Sequence, residues 1–376
     1  MAHARGSRSH GSLLARGTVG AALIVVTALQ LSPAVATAQG ATWRIQPSPM
    51  LRLGVGNSDA DIFTAPAGAT RLPNGHVVVG DLGDWALREY SPSGLPVKQF
   101  GRKGKGPGEV SYLAPLLRCG DSLVANDIVG SQLSVFSTGG QFVRAFRIKA
   151  PIYRVGCNAR LQLVVMGWET KPTMHGGLHR PLYPYLIASA DTTPPILLGE
   201  FPGSERFGPR PYPLGREPRV AIGSARAYVA LADSFEVLVF DLQGKALRSL
   251  AVRRPRIAAT AADLVAAREA EIAALGERAR SRVESDYASM PLPKNLPATR
   301  ELIVDADDNL WVQDYPRASS ATVRWTVFAP TGTMLATIAL PTAFELYEAG
   351  RDYVLGRYVD PNEAVPEVRL YRLTRR

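Results

Sequence analysis

Four groups of residues have types and spacings that could do chemistry. His175 and His179 flank Gly176-Gly177-Leu178. On a helix that spacing would put both imidazoles on one face, where they could share a zinc ion. Two adjacent glycines argue against a helix, so the pair reads as polar loop residues, with metal binding as the sharper alternative. Asp81, Asp127, Asp233 and Asp314 each close a similar short apolar run. They could form a carboxylate ring holding a divalent cation such as calcium. They could equally be caps, each accepting amides of its own turn. Recurrence along the chain favours caps, because a site needs its ligands in only some copies. Gly101–Glu109 is rich in glycine and lysine, but it lacks a Gly-Lys-Ser/Thr ending and no helical pattern follows, which excludes a phosphate-binding P-loop.

Cys119 and Cys157 are the only cysteines. They fall at equivalent places in adjacent sequence units, so a disulfide is expected in an oxidising compartment. No G-x-S-x-G elbow occurs, and neither cysteine has an evident His and Asn partner, which argues against a nucleophilic hydrolase of those kinds.

The elements that must position these residues are short strands. An aromatic or aliphatic strand end followed by a polar turn with Gly recurs at Tyr90–Gly94, Phe136–Gly140, Phe240–Gly244 and Phe328–Gly332. A degenerate copy spans Ile187–Asp191, and another begins at Tyr371. A strand follows each full copy (Pro96–Phe100, Phe142–Ile148, Ala246–Val252, Met334–Leu340), and two more precede it. Four antiparallel strands per unit, six units, and no way for one unit to bury its faces alone predict an all-β, six-bladed β-propeller. The last unit supplies three strands, so Thr42–Leu53 is expected to complete it and close the ring.

Within such a unit the long connections fall on one face. They are Gly101–Tyr112, Gly167–Pro184, Gly199–Pro218 and Arg253–Pro297, and long loops gathered together are the strongest functional signal in the chain. Their basic residues, Arg253, Arg254 and Arg256 among them, outnumber the acidic ones. The residues chosen as contacts for a ligand are Arg102, Lys105, Trp168, His175, His179, Arg180, Arg206, Arg210 and Tyr212: cations for an anion, aromatics to stack on a sugar or ring. The last connection carries an Ala-, Glu- and Arg-rich helical insertion over about 255–290, between units four and five, with Leu264, Ile272 and Leu275 at helical spacing. It reads as a lid or wall, or as a solvated excursion.

Composition bounds the rest. The chain has 376 residues, 46% hydrophobic and 20% charged, neither a multi-span membrane protein nor a disordered chain. Arg5, Arg8 and Arg16, an apolar run over Gly17–Leu29 and Ala36-Thr37-Ala38 form a secretory signal over residues 1–38. Its removal lowers the net charge from +10 to +7. No basic run with interleaved aromatics suggests nucleic acid, and no later stretch could span a bilayer as a helix.

The stretch from His76 through Gly94 and on through Phe100–Glu109, together with 296–315, resembles NHL-type and TolB-like bacterial six-bladed propellers. The resemblance covers nearly all of the chain after the signal. It implies fold rather than activity, since that family includes binding, lyase, lactonase and signalling proteins. The expectation is an exported propeller, periplasmic or extracellular, spanning residues 41–376. It would bind a small anionic ligand, a glycan or an envelope protein on its long-loop face, without a cofactor. The alternative is a lactonase-like hydrolase or lyase using a channel cation.

Overall fold

The computed structural model describes residues 34–35, 40–56, 62–111, 113–127, 132–148, 155–169, 176–189, 194–360 and 365–375. Except for 34–35, the expected leader lies outside them.

Strands dominate. Sheet I is Pro66–Arg71, Val77–Asp81, Ala86–Tyr90 and Pro96–Phe100, and sheet II is Leu113–Cys119, Ser122–Asp127, Gln132–Ser137 and Phe142–Arg147. Sheet III is Val155–Cys157, Leu163–Met166, Leu182–Ala188 and Ile196–Pro202, and sheet IV is Arg219–Ile222, Arg226–Ala230, Glu236–Asp241 and Ala246–Ala251, with Ala34–Val35 parallel to its last strand. Sheet V is Thr299–Val304, Leu310–Asp314, Thr322–Phe328 and Met334–Pro341. Sheet VI has Phe344–Ala349, Tyr353–Val359 and Pro366–Thr374, with Leu51–Leu53 paired to its last strand. Small antiparallel sheets of this kind are what a β-propeller requires.

Side-chain burial follows strand position. The second strand of sheet I is buried along its whole length, and its apolar run Val77-Val78-Val79 suits a strand covered on both faces. The fourth strands of sheets I and II are mostly exposed, so they form the outer edges. In the hairpins before these and two other fourth strands, Gly94, Gly140, Gly244 and Gly332 all take φ between +79° and +90°. Each donates its N–H to the residue three positions earlier, and the ladder slips by one residue beside it. Side chains other than glycine resist that φ, which is why the same turn carries glycine four times.

The first strands pack against one another: sheet I on II, II on III, III on IV, IV on V, V on VI, and VI on I. The chain before sheet I does not form the single strand expected over 42–53. Arg44–Ile45 and Leu51–Leu53 both pair with Pro366–Thr374, while Ala41–Thr42 runs parallel to the outer strand of sheet V. Pro47 and Pro49 lie between the pieces and can donate no ladder hydrogen bond, which breaks the strand. Arg52 clamps Glu367 through two bonds of 2.8 and 2.6 Å. Cys119 and Cys157 form a disulfide with Cα atoms 5.5 Å apart, tying the first strands of sheets II and III.

Sheets VI and I also meet at a buried carboxylate. Glu348 accepts the hydroxyls of Thr70 and Tyr353 and the Arg71 amide at 3.3 Å, with Arg118 nearby; Arg71 in turn lies over the Tyr353 ring. Burial raises its pKa above 4.5, and the hydrogen bonds and Arg118 only partly oppose this. A carboxyl raised on folding favours the native state below its unfolded pKa and loses that contribution as pH rises through the folded value. Wild-type stability is therefore expected to fall with pH above about 4.5, and the Glu348→Gln variant to lose that component of the slope. Urea midpoints across a pH series check this, and parallel curves for the two proteins would count against it.

Two helices form the insertion, α1 over Ala261–Leu275 and α2 over Arg280–Ala288. Thr260 and Asp263 make a reciprocal capping box at the start of α1, and Gly276 ends it. Ile272, Val283 and Tyr287 are buried between them. Leu275, at the same helical spacing as Leu264 and Ile272, is 52% exposed at the end of α1, just before Gly276.

Candidate functional site

The insertion is a packed wall. Tyr212, Leu214 and Leu296 form a small core with Phe207, Leu264, Met290 and Tyr315, joining the sheet III–IV connection to α1 and to sheet V. Arg317 holds Asp263 of α1 through bonds of 3.1 and 2.9 Å and also donates to the Ala258 carbonyl. Tyr212 is 2% exposed, and its hydroxyl donates to the Pro291 carbonyl. Burial and the Glu205 carboxylate push its pKa up to about 12. Tyr212 thus anchors the wall, a role that its place in a long loop does not indicate.

The other expected contacts do not converge on one cavity. Arg180 is nearly buried and donates to Asp233 at 2.6 Å and to the Gly203 and Leu231 carbonyls at 2.9 Å, fastening the sheet III excursion to sheet IV. Arg210 pairs with Asp286 of α2 at the edge of a cavity of about 470 Å³ lined also by Phe207, Ser285 and Met290. Arg206 is half-buried and pairs in strand register with His179. Arg102 is exposed and paired with Glu109, Lys105 is exposed, and Trp168 is 64% exposed. His175 lies outside the described residues.

The four aspartates also separate. Asp81 is fully buried and accepts the amides of Thr64, Ala65 and Gly83 at 2.9–3.1 Å. It therefore stitches its own turn to the chain entering the first strand, and Asp127 takes the Ser111 amide in the corresponding way. Asp233 lies beyond the end of its strand, exposed, and is held by Arg180 and Arg216. Burial raises its pKa, but the two arginines outweigh that and leave it lowered. Asp314 accepts from Arg324 at 2.8 Å. Among the described residues no three His, Cys, Asp or Glu come together as metal ligands.

The cavity the sequence did not single out lies between sheets IV and V, on the long-loop side. Its volume is about 530 Å³, within the range of small-molecule sites. Phe235, Val252, Ile257, Leu296 and Pro297 supply apolar walls, and Arg253, Arg254, Arg256 and Arg324 supply charge. The Arg254 carbon Cζ sits 5.2 Å from the Phe235 ring centre. Its Nη2 donates to Thr326 at 3.0 Å, while its Nε is shut off from solvent, has no hydrogen-bond partner among the described residues and faces Asp314 at 3.9 Å. Burial lowers the Arg254 pKa; Asp314 opposes that and Arg324 adds to it. The result is a partly dried guanidinium with unspent donors, which favours an arriving anion.

No family model matches this chain, and no curated protein matches it. Among solved structures it is similar to a protein of Bacteroides fragilis NCTC 9343 described as exported (12% identity, 91% of this chain and 98% of that one, TM-score 0.49). A DUF4221 family member from Bacteroides vulgatus ATCC 8482 aligns at 9% identity (90% and 100% covered, TM-score 0.47). Virginiamycin B lyase from Staphylococcus aureus aligns at 9% identity (88% and 99% covered, TM-score 0.42). Identities this low and TM-scores below 0.5 say nothing of ligand or activity. No helix among the described residues is long and apolar enough to cross a membrane.

Proposed function

We propose that the protein is an exported six-bladed β-propeller, residues 41–376, that binds an anionic ligand on its long-loop face. The six blades are supported by the cycle of first-strand contacts from sheet I through sheet VI and back to sheet I, and closure by the pairing of Leu51–Leu53 with the last strand. Export rests on the leader pattern.

The observation that carries the binding role is the cavity between sheets IV and V. Arg253 and Arg256 stand exposed at its mouth, and Arg254 lies deeper, beside Asp314. The test is native mass spectrometry of mature protein, purified without chelator, against a pool of anionic small molecules. The expected result is metal-free protein that retains an anion, with retention lost in an Arg253→Ser/Arg256→Ser variant. Stoichiometric divalent metal together with lactone hydrolysis would favour a catalytic propeller instead.

A further inference from the structure

We propose that the cavity between sheets IV and V selects a monocarboxylate with an apolar body, its carboxylate on Arg254 and its body against Phe235, Ile257 and Leu296. This deepens the reading of the long-loop face as the binding face and rests on it.

Charge sets the headgroup. Arg324 is spent on Asp314, and Asp233 is spent on Arg180 and Arg216, which lie outside the lining. That leaves Arg253, Arg254 and Arg256 against Glu236, a modest positive surplus. Arg254 has five N–H donors; Nη2 gives one to Thr326, and Nε, shut off from solvent, faces Asp314 at 3.9 Å. A carboxylate can take two of the remaining donors in the planar fork that guanidinium offers. Arg324 answers only one oxygen of Asp314; the other, Oδ1, is buried without a hydrogen bond among the described residues, 3.9 Å from Arg254 Nε, and opposes a second negative charge on the ligand, so phosphate monoesters and dicarboxylates are disfavoured.

Hydrophobicity sets the body. Phe235 forms one wall under the guanidinium and Leu296 is buried in another. Ile257, 40% exposed at the rim, gains shelter only when something fills the space. Phe235 and Leu296 already belong to apolar clusters, so an alkyl or aryl chain gains chiefly by covering the exposed Ile257, which a polar sugar would not do.

The experiment is calorimetric titration of mature protein with phenylbutyrate, phenylbutanol, phenyl phosphate and phenylsuccinate. Phenylbutyrate is expected to bind most tightly, and Arg254→Met to weaken it about 10- to 100-fold, as loss of a charged hydrogen bond does. Because Arg254→Met could disturb folding, Ile257→Trp is tested beside it; it fills the cavity from the rim and should abolish binding while the melting temperature holds. Equal affinity for phenylbutanol, preference for either dianion, or binding that survives Ile257→Trp would each overturn the proposal. If phenylbutyrate fails while another anion is retained through Arg253 and Arg256, this inference falls and the wider reading stands. If neither binds, both fall.

Discussion

Asp81→Ala is expected to lower stability by about 3–5 kcal/mol, the range for leaving buried partners of a charged group unsatisfied. The fully buried carboxylate serves the amides of Thr64, Ala65 and Gly83, and the methyl group of alanine can replace none of those bonds. Arg88 stands 4.0 Å away, so its environment changes as well. Asp81→Asn keeps one acceptor oxygen and should cost less than half as much. Urea denaturation measures both. Metal content and chelator sensitivity supply the contrast: a turn stitch leaves the wild type indifferent to chelator, whereas a cation ligand would make chelator reproduce the mutant's loss. Chelator destabilisation of the wild type would return Asp81 to the metal reading.

The second large effect belongs to the disulfide. Cys119 and Cys157 are separated by 38 residues, and closing a loop of that length restricts the unfolded chain by about 4 kcal/mol. Cys119→Ala/Cys157→Ala, chosen because Cys119 is 1% exposed and a serine hydroxyl would need a partner there, is expected to lose about that much. Wild type under reducing conditions should fall to about the same midpoint. Unchanged stability in the double variant would mean that the bridge contributes nothing.

The strands were legible and the site was not, for reasons visible in particular residues. Phe240–Gly244 announces its hairpin because a residue at φ +88° must be glycine, a local requirement written at one position. Pro96–Phe100 is legible for the same reason, bounded by Gly94 before and Gly101 after. Arg180 and Tyr212 sit in long loops, where nothing nearby in the sequence shows what they hold. Their partners, Asp233 and the Pro291 carbonyl, are 53 and 79 residues away, beyond the reach of any local pattern. Arg254 counted only as one more loop cation. What distinguishes it is its place beside Asp314 over an aromatic floor, Phe235, brought to it by the turn of the sheet before. Cavities between sheets are made by long-range packing, which short-range spacing does not encode.

The pairing of Leu51–Leu53 with Val368–Leu370, sealed by Arg52 and Glu367 at a separation of 315 residues, bears on how the molecule comes into being. A chain emerging in order has its first sheet partner missing until its last strand is made. Sheet VI cannot be completed piecemeal, and early sheets wait with an unmatched flank, so assembly is late, slow and dependent on the final residues. The pairing of these two distant segments thus leaves the chain open and threadable until Leu51–Leu53 and Pro366–Thr374 have both emerged.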